Sequence, residues 1–272
     1  MSWTDVARKD VSDAGRSKTI WLLFALLTAL SVGYAFGHSY LGAASFPAFL
    51  NGLTGVVAAV LPIVALLLGY KSISDDRDSG RLFLALSFPC SRRDLVVGTL
   101  VGRTVVLLAP TLVALTAAGI VGAVRYGTDG AALYPWFLFA SALYGVAFLG
   151  TAIGLSMSTT ADRWITFGAF GGYMLAVNLW GTVHSVVMLF LHRFQFAVLS
   201  DMPDWALLFR LFGPGESYGR LIRAGFDVDR SARYVADGVP VYVDWWAAIA
   251  ILALWTAVPL AVGYYRFRDD DL

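Results

Sequence analysis

Six long apolar stretches limit how this chain can fold more than any other feature does. They cover residues 19–36, 52–70, 100–124, 134–157, 165–191 and 245–265. At 1.5 Å per helical residue, each can cross a hydrocarbon core about 30 Å thick, the first two only just. Because a backbone in lipid must satisfy its own amides, we expect an all-α integral membrane protein with six transmembrane helices, forming one domain over residues 1–272.

The composition excludes several classes of enzyme. Only 14% of the 272 residues are charged, whereas a soluble domain has about 25%. Glu216 is the only glutamate, which excludes zinc-protease helices and paired glutamates. None of the three lysines follows a glycine, so the chain lacks the Gly-Lys phosphate loop of an ATPase. We therefore expect no catalytic, cofactor-binding or metal-binding residue, and we interpret the single Cys90 as structural.

Basic residues indicate which side of the membrane each loop faces. Those beside the first two spans are Arg8, Lys9, Arg16, Lys18, Lys71, Arg77, Arg81, Arg92 and Arg93, whereas the loop 37–51 has none. This bias predicts a multi-pass protein of the cytoplasmic membrane with both termini in the cytoplasm. The segment 192–244 would then be external despite its six arginines, and at 53 residues it is nearly long enough to escape the rule.

The residues before the first span have the pattern of an amphipathic helix. Trp3, Val6, Ala7, Val11 and Ala14 recur at helical spacing, with charged residues between them. This spacing predicts a helix lying in the membrane interface. The alternative is a solvated tail.

The six stretches contain no Asp, Glu or Lys, and Arg103 is their one charged residue. A proton- or ion-coupled carrier needs titratable or ligating groups at membrane depth. Arg103 lies one turn inside the third stretch, where it can extend to the cytoplasmic headgroups, and we favour a structural role for it. If the protein moves a substrate, the energy must come from elsewhere, most simply from a partner that hydrolyses ATP.

Four pairs of glycines spaced one helical turn apart predict close helix approach. They are Gly33 and Gly37, Gly98 and Gly102, Gly150 and Gly154, and Gly168 and Gly172. We expect packing within the chain to explain most pairs, and dimerisation to explain one.

His184, Met188 and His192 repeat along one face of the fifth stretch, and such side chains suit copper. They spread over about 12 Å of helix, which is too far for one ion. We favour core packing and an interfacial histidine over a metal site.

The segment after the second stretch contains a short apolar helix, 81–88, between the charged run 75–78 and Pro89. It is too short to span a membrane. An apolar helix edged by charge suits the groove of a partner protein. One alternative is an interfacial helix without a partner, and another is that its arginines form a solvated face.

This segment resembles the permease subunits of type-2 ABC exporters. The matching positions are Asp76-Arg77, Ser79-Gly80, 82–86, Pro89, Ser91-Arg92 and Gly98. Two positions depart from the family pattern, Asp76 where Glu is commoner and Thr99 where Lys is usual. The order of elements in the rest of the chain extends the resemblance to nearly its full length.

The resemblance implies a cytoplasmic coupling helix at 79–86 that docks on an ATP-binding subunit. Its implied partner-binding residues are Arg77, Ser79, Gly80, Arg81, Leu82, Phe83, Leu86, Pro89 and Arg92. It further implies ATP and Mg in that subunit, no cofactor in this chain, a homodimer or heterodimer of permeases in a lipid membrane, and no nucleic acid.

Part of the predicted external segment also resembles these permease subunits. Residues 205–212 predict a re-entrant or interfacial helix, and 213–218 resemble the family's Asn-Pro turn followed by Tyr, with Gly213 in place of Asn.

Two other functions fit the spans. One is a membrane scaffold or assembly factor that transports nothing. The other is an intramembrane enzyme, which has little support because Gly154-Leu155-Ser156-Met157-Ser158 lacks the closing glycine of a nucleophile elbow.

Overall fold

The structure, a computed structural model, describes residues 2–40, 45–70, 72–73, 91–158, 162–199, 202–226, 228, 234 and 240–269. Within these ranges the chain is helical and contains no strand. The α-helices are α1 (Trp3–Arg16), α2 (Lys18–Gly37), α3 (Phe46–Gly69), α4 (Arg92–Tyr126), α5 (Tyr134–Ser158), α6 (Asp162–Tyr173), α7 (Trp180–Leu191), α8 (Asp204–Leu211), α9 (Pro214–Gly225) and α10 (Trp245–Asp269). A π-helical segment, Met174–Leu179, joins α6 to α7.

Six helical segments are long and apolar enough to cross a membrane, which confirms the predicted number. They are Lys18–Tyr40, Phe46–Gly69, Arg92–Tyr126, Ala131–Ser158, Thr166–Leu191 and Trp245–Arg268. We refer to them as the first to sixth spans. The fifth comprises α6, the π-helical segment and α7.

The second and third spans begin six and eight residues before their predicted starts, and side chains cap their first turns. The Ser45 side chain accepts a hydrogen bond from the Ala48 amide, so α3 begins at Phe46. The Ser91 side chain accepts from the Asp94 amide, and Asp94 accepts from the Ser91 amide, so α4 begins at Arg92. Such caps satisfy amides that a helix start leaves unpaired, and apolarity alone does not reveal them.

The second and fourth spans form the centre of the bundle, with more than half of their most apolar windows buried. Along α5, Gly150 and Gly154 lie against α10, where a Cβ on either glycine would overlap Thr256 or Pro259. Gly263 of α10 lies in turn against Gly154. We call this contact between α5 and α10 the glycine seam.

The predicted amphipathic helix is present as α1, and it packs on α4. A Cβ on Gly98 would overlap Trp3 and Val6, and one on Gly102 would overlap Asp10. Part of the apolar face predicted to enter the membrane interface therefore contacts the protein instead.

Only two of the four glycine pairs pack tightly within the described chain, fewer than expected. Gly33, Gly37 and Gly172 have no described atom within 4 Å of the position that a Cβ would take, and Gly168 makes only ordinary contacts with Leu155. These two open pairs lie on the first and fifth spans, whose side chains are the least buried of the six.

The segment after the fifth span returns to the bundle through α8 and α9. The predicted helix at 205–212 is confirmed by α8. At the Gly213-Pro214 pair, Gly213 is the residue before α9 and Pro214 occupies its first turn. Proline fits there because its missing N–H would be unpaired anyway.

Candidate functional site

The predicted partner-binding residues lie almost entirely outside the described residues. Arg77, Ser79, Gly80, Arg81, Leu82, Phe83, Leu86 and Pro89 all fall within 74–90. Arg92 is described, at the first position of α4. The structure therefore bears on this site through the residues that flank it.

Ser72 and Ile73 form the described flank between α3 and the segment 74–90, and this flank is bonded to α5. The Ser72 hydroxyl donates to the Gly69 carbonyl oxygen over 2.9 Å. The Ile73 amide donates to the Ser156 hydroxyl oxygen over 3.0 Å, and the Ile73 side chain is buried. The chain thus enters the segment 74–90 from a fixed point at the end of the fourth span.

The flank that enters α4 is held against α10. The Arg92 guanidinium donates to the carbonyl oxygens of Phe267 and Arg268, over 2.5 and 2.9 Å. It also lies 5.4 Å from the centre of the Phe267 ring, which is fully buried. Charge-assisted bonds to the last carbonyls of a helix complement its dipole, so Arg92 fixes the start of α4 to the end of the sixth span.

A third contact at this end joins α1 to two spans. Arg103 pairs with Asp10 at 3.3 Å and donates to the Leu68 carbonyl oxygen at 3.1 Å. These contacts agree with the structural role expected of Arg103, because α1 supplies a carboxylate beside it. The sequence contained a signal for this contact, since Asp10 shares its helix face with Ala7 and Ala14.

We call this end of the bundle the terminal end, because it holds α1, the start of α4 and the end of α10. The opposite end holds α8, α9 and the turn between α4 and α5, and we call it the loop end. At the terminal end, the two flanks of 74–90 are thus bonded to different spans.

At the loop end, two ion pairs hold the returning segment. Glu216 pairs with Arg210 at 2.9 Å and accepts a hydrogen bond from the Tyr234 hydroxyl at 3.0 Å. Arg220 is buried and pairs with Asp244 at 2.5 Å. Burial lowers the pKa of Arg220, and the charge of Asp244 opposes that change. The one glutamate of the chain thus has a structural partner on each oxygen.

Aromatic side chains insert α9 between the fourth and sixth spans. Tyr218 is fully buried, with its hydroxyl 2.9 Å from that of Ser141 and its ring stacked 4.5 Å from Tyr144. The indole N–H of Trp136 donates to the Leu221 carbonyl oxygen over 2.6 Å. These contacts place α9 beside the first half of α5.

Both histidines of the repeat in the fifth span lie within hydrogen-bond distance of a backbone carbonyl oxygen. His184 lies 2.9 Å, through Nε2, from the Ala206 carbonyl oxygen, which attaches α7 to α8. His192 bonds through Nδ1 to the Met188 carbonyl oxygen of its own helix. Across the described ranges, no three His, Cys, Asp or Glu side chains come together as a metal site.

Comparison with known proteins identifies the family. The model of the ABC-2 family transporter proteins matches residues 4–272. The chain therefore belongs to the ABC-2 family of transporter proteins, and it is a multi-pass membrane protein.

Two relatives are similar to this chain over nearly their whole length. A protein of Pseudomonas aeruginosa named probable ABC transporter permease protein NosY is 29% identical over 276 residues, covering 98% of this chain and 97% of the relative. A protein of the same name from Stutzerimonas stutzeri is 28% identical over 277 residues, covering 97% of each.

Proposed function

We propose that this chain is the permease subunit of an ATP-driven exporter in the cytoplasmic membrane, with both termini in the cytoplasm. A separate ATP-binding subunit, carrying ATP and Mg, contacts it through residues 77–92. This chain performs no covalent chemistry. The family match and the name shared by the two relatives support the permease role.

The observation that carries the proposal is the double anchorage of the segment 74–90. One flank is bonded to α5 through Ile73 and Ser156, and the other to α10 through Arg92. A force on the segment therefore acts directly on the fourth and sixth spans. Because these spans pack along the glycine seam, they would move as one unit.

The described spans also favour an external source of energy. Arg103 of the third span lies near the terminal end. Its partner, Asp10, belongs to α1 and not to another span. A coupled carrier would instead need titratable groups at the depth where access alternates. Two such permeases, identical or related, would form the path, with their sparsely buried fifth spans available for contact.

The test is ATP hydrolysis by the complex of this chain with the ATP-binding subunit recovered from its native membranes, reconstituted in lipid. Leu82→Asp introduces a charge into the proposed contact. It is expected to lower permease-dependent hydrolysis at least about tenfold, which corresponds to 1.4 kcal/mol. Membrane insertion should be unchanged.

A matched control is Leu133→Asp, which places the same charge on an exposed leucine at the loop end. It should leave hydrolysis near the wild-type rate. Equal rates for both variants and the wild type would overturn the coupling role, and failure to recover any ATP-binding subunit would favour a scaffold.

A further inference from the structure

An apolar groove of about 1010 Å³ lies between α2 and α4. A hydrogen bond lies near each of its two ends. At the terminal end, Val11 and Ala14 of α1 line it, and the Trp21 indole donates to the Gly15 carbonyl oxygen over 2.9 Å. At the loop end, the Tyr126 hydroxyl donates to the Ala35 carbonyl oxygen over 2.6 Å, which fixes α2 to α4.

Small residues create the groove. Ala25, Ala29 and Gly33 follow one another at four-residue steps on α2 and lie across from α4. The large rings of Trp21 and Phe36 bound them on the same helix, about 22 Å apart along its axis. Apart from the Trp21 indole, Thr28 is the only polar side chain among the described lining residues, so the groove suits a long hydrocarbon chain rather than water.

Two basic residues lie in the chain beside the terminal end of the groove, which we call its mouth. Arg16 directly follows the lining residue Gly15, Lys18 lies two residues before the lining residue Ile20, and both are exposed. Asp10 of α1 is paired with Arg103. The nearest remaining acid in sequence is Asp13, so the residues 13–18 carry two positive charges and one negative charge.

This charge distinguishes between two possible occupants. A second copy docking through the same groove about a two-fold axis would bring its own Arg16 and Lys18 to the same depth. Like charges brought together at an interface are costly. A phosphate at the mouth instead neutralises both cations, and basic side chains near a membrane surface attract anionic lipids by about 1 kcal/mol each.

We propose that this groove binds an anionic phospholipid, with an acyl chain between α2 and α4 and its phosphate at Arg16 and Lys18. The lining residues belong to α1, α2 and α4, and the proposal does not depend on the coupling role. It gives the first span a lipid-bound face and leaves the fifth span as the open surface for a second permease.

The test is native mass spectrometry of the full chain in mild detergent, titrated with palmitoyl-oleoyl phosphatidylglycerol or with phosphatidylcholine of the same chains. The double variant Arg16→Gln, Lys18→Gln removes the charge, and Ala29→Phe fills the groove. Each should weaken phosphatidylglycerol binding about tenfold or more, and the double variant should abolish the preference over phosphatidylcholine.

Two controls match these changes elsewhere on the chain. Arg163→Gln removes an exposed charge beside the fifth span, and Ala257→Phe adds the same ring to an exposed site on α10. Both should bind phosphatidylglycerol like the wild type. Equal binding by all variants would overturn the proposal, as would an Ala29→Phe variant that loses dimers but retains the lipid.

Discussion

The two ends of the bundle are held by different kinds of contact. At the loop end, an ion pair joins α8 to α9 and a second one joins α9 to Asp244, just before α10. Indole N–H groups of the fourth, fifth and sixth spans and a stacked tyrosine pair attach the same segment to the bundle. At the terminal end, the described residues that flank the 17-residue segment 74–90 are held by fewer contacts. These are an amide-to-hydroxyl bond at Ile73 and two bonds from Arg92 to backbone carbonyls, and one ion pair joins α1 to the third span. The loop end is therefore braced by several elements, whereas the terminal end is joined at a few defined points. Under the proposed function, those points are where force from the ATP-binding subunit would reach the spans.

The glycine seam links these ends, because α5 and α10 extend between them. The Thr151 hydroxyl donates to the Trp255 carbonyl oxygen over 2.9 Å within the seam. The Trp255 indole donates in turn to the Phe212 carbonyl oxygen, over 2.9 Å, beside α8. Movement of α10 at the terminal end would therefore reach the loop end through direct contacts.

Breaking the seam should have the largest effect. In Gly154→Leu, a side chain would occupy the space of the Pro259 backbone, and overpacking of this kind costs about 3 kcal/mol. The expected result is a marked loss of monodisperse protein after solubilisation, with a lower midpoint of thermal unfolding. Gly171→Leu is the control, because no described atom lies within 4 Å of its Cβ position. Equal losses in both variants would show that the close contact at the glycine seam does not stabilise the bundle more than an open glycine site does.

Breaking the brace at the loop end should have an intermediate effect. Glu216→Gln keeps the shape of the side chain but removes the charge that pairs with Arg210, and a hydrogen bond to a charged group contributes about 2 kcal/mol. The unfolding midpoint should fall, measured in detergent by tryptophan fluorescence. Asp129→Asn removes an exposed carboxylate at the same end and should leave the midpoint unchanged. A midpoint in Glu216→Gln equal to wild type would mean that the ion pair does not brace this end.

Breaking the α1 contact at the terminal end should have the smallest effect on stability. Asp10→Asn removes the charge opposite Arg103, a partly exposed pair whose contribution is about 1 kcal/mol. Hydrogen exchange of the α1 amides should accelerate, while exchange in α5 stays the same. Asp13→Asn, an exposed change on the same helix, provides the comparison. Faster exchange in both variants alike would mean that the ion pair does not hold α1.

Much of the fold could be predicted because membrane burial imposes length and apolarity on each span. The extensions of α3 and α4 depended on the caps at Ser45 and Ser91, which hydropathy does not reveal. The partner of Arg103 could not be read from the spans, since Asp10 lies in another helix.

The candidate site was predictable in part. The short motifs of the family indicated residues 77–92 and included Arg92. Its carbonyl partners on α10 are distant in sequence and carry no side-chain signature. Ser156 stood in a motif considered for an enzyme nucleophile, and the structure shows its hydroxyl accepting from the Ile73 amide.

The most direct test of the coupling claim is site-specific cross-linking between this chain and its ATP-binding subunit in native membranes. In a Cys90→Ser background, Ser79→Cys places a thiol in the proposed contact and Thr128→Cys places one at the loop end. We predict that position 79 cross-links to the ATP-binding subunit and that position 128 does not. Cross-linking from position 128 alone, or labelling of position 79 by an impermeant reagent added outside intact cells, would contradict the coupling role.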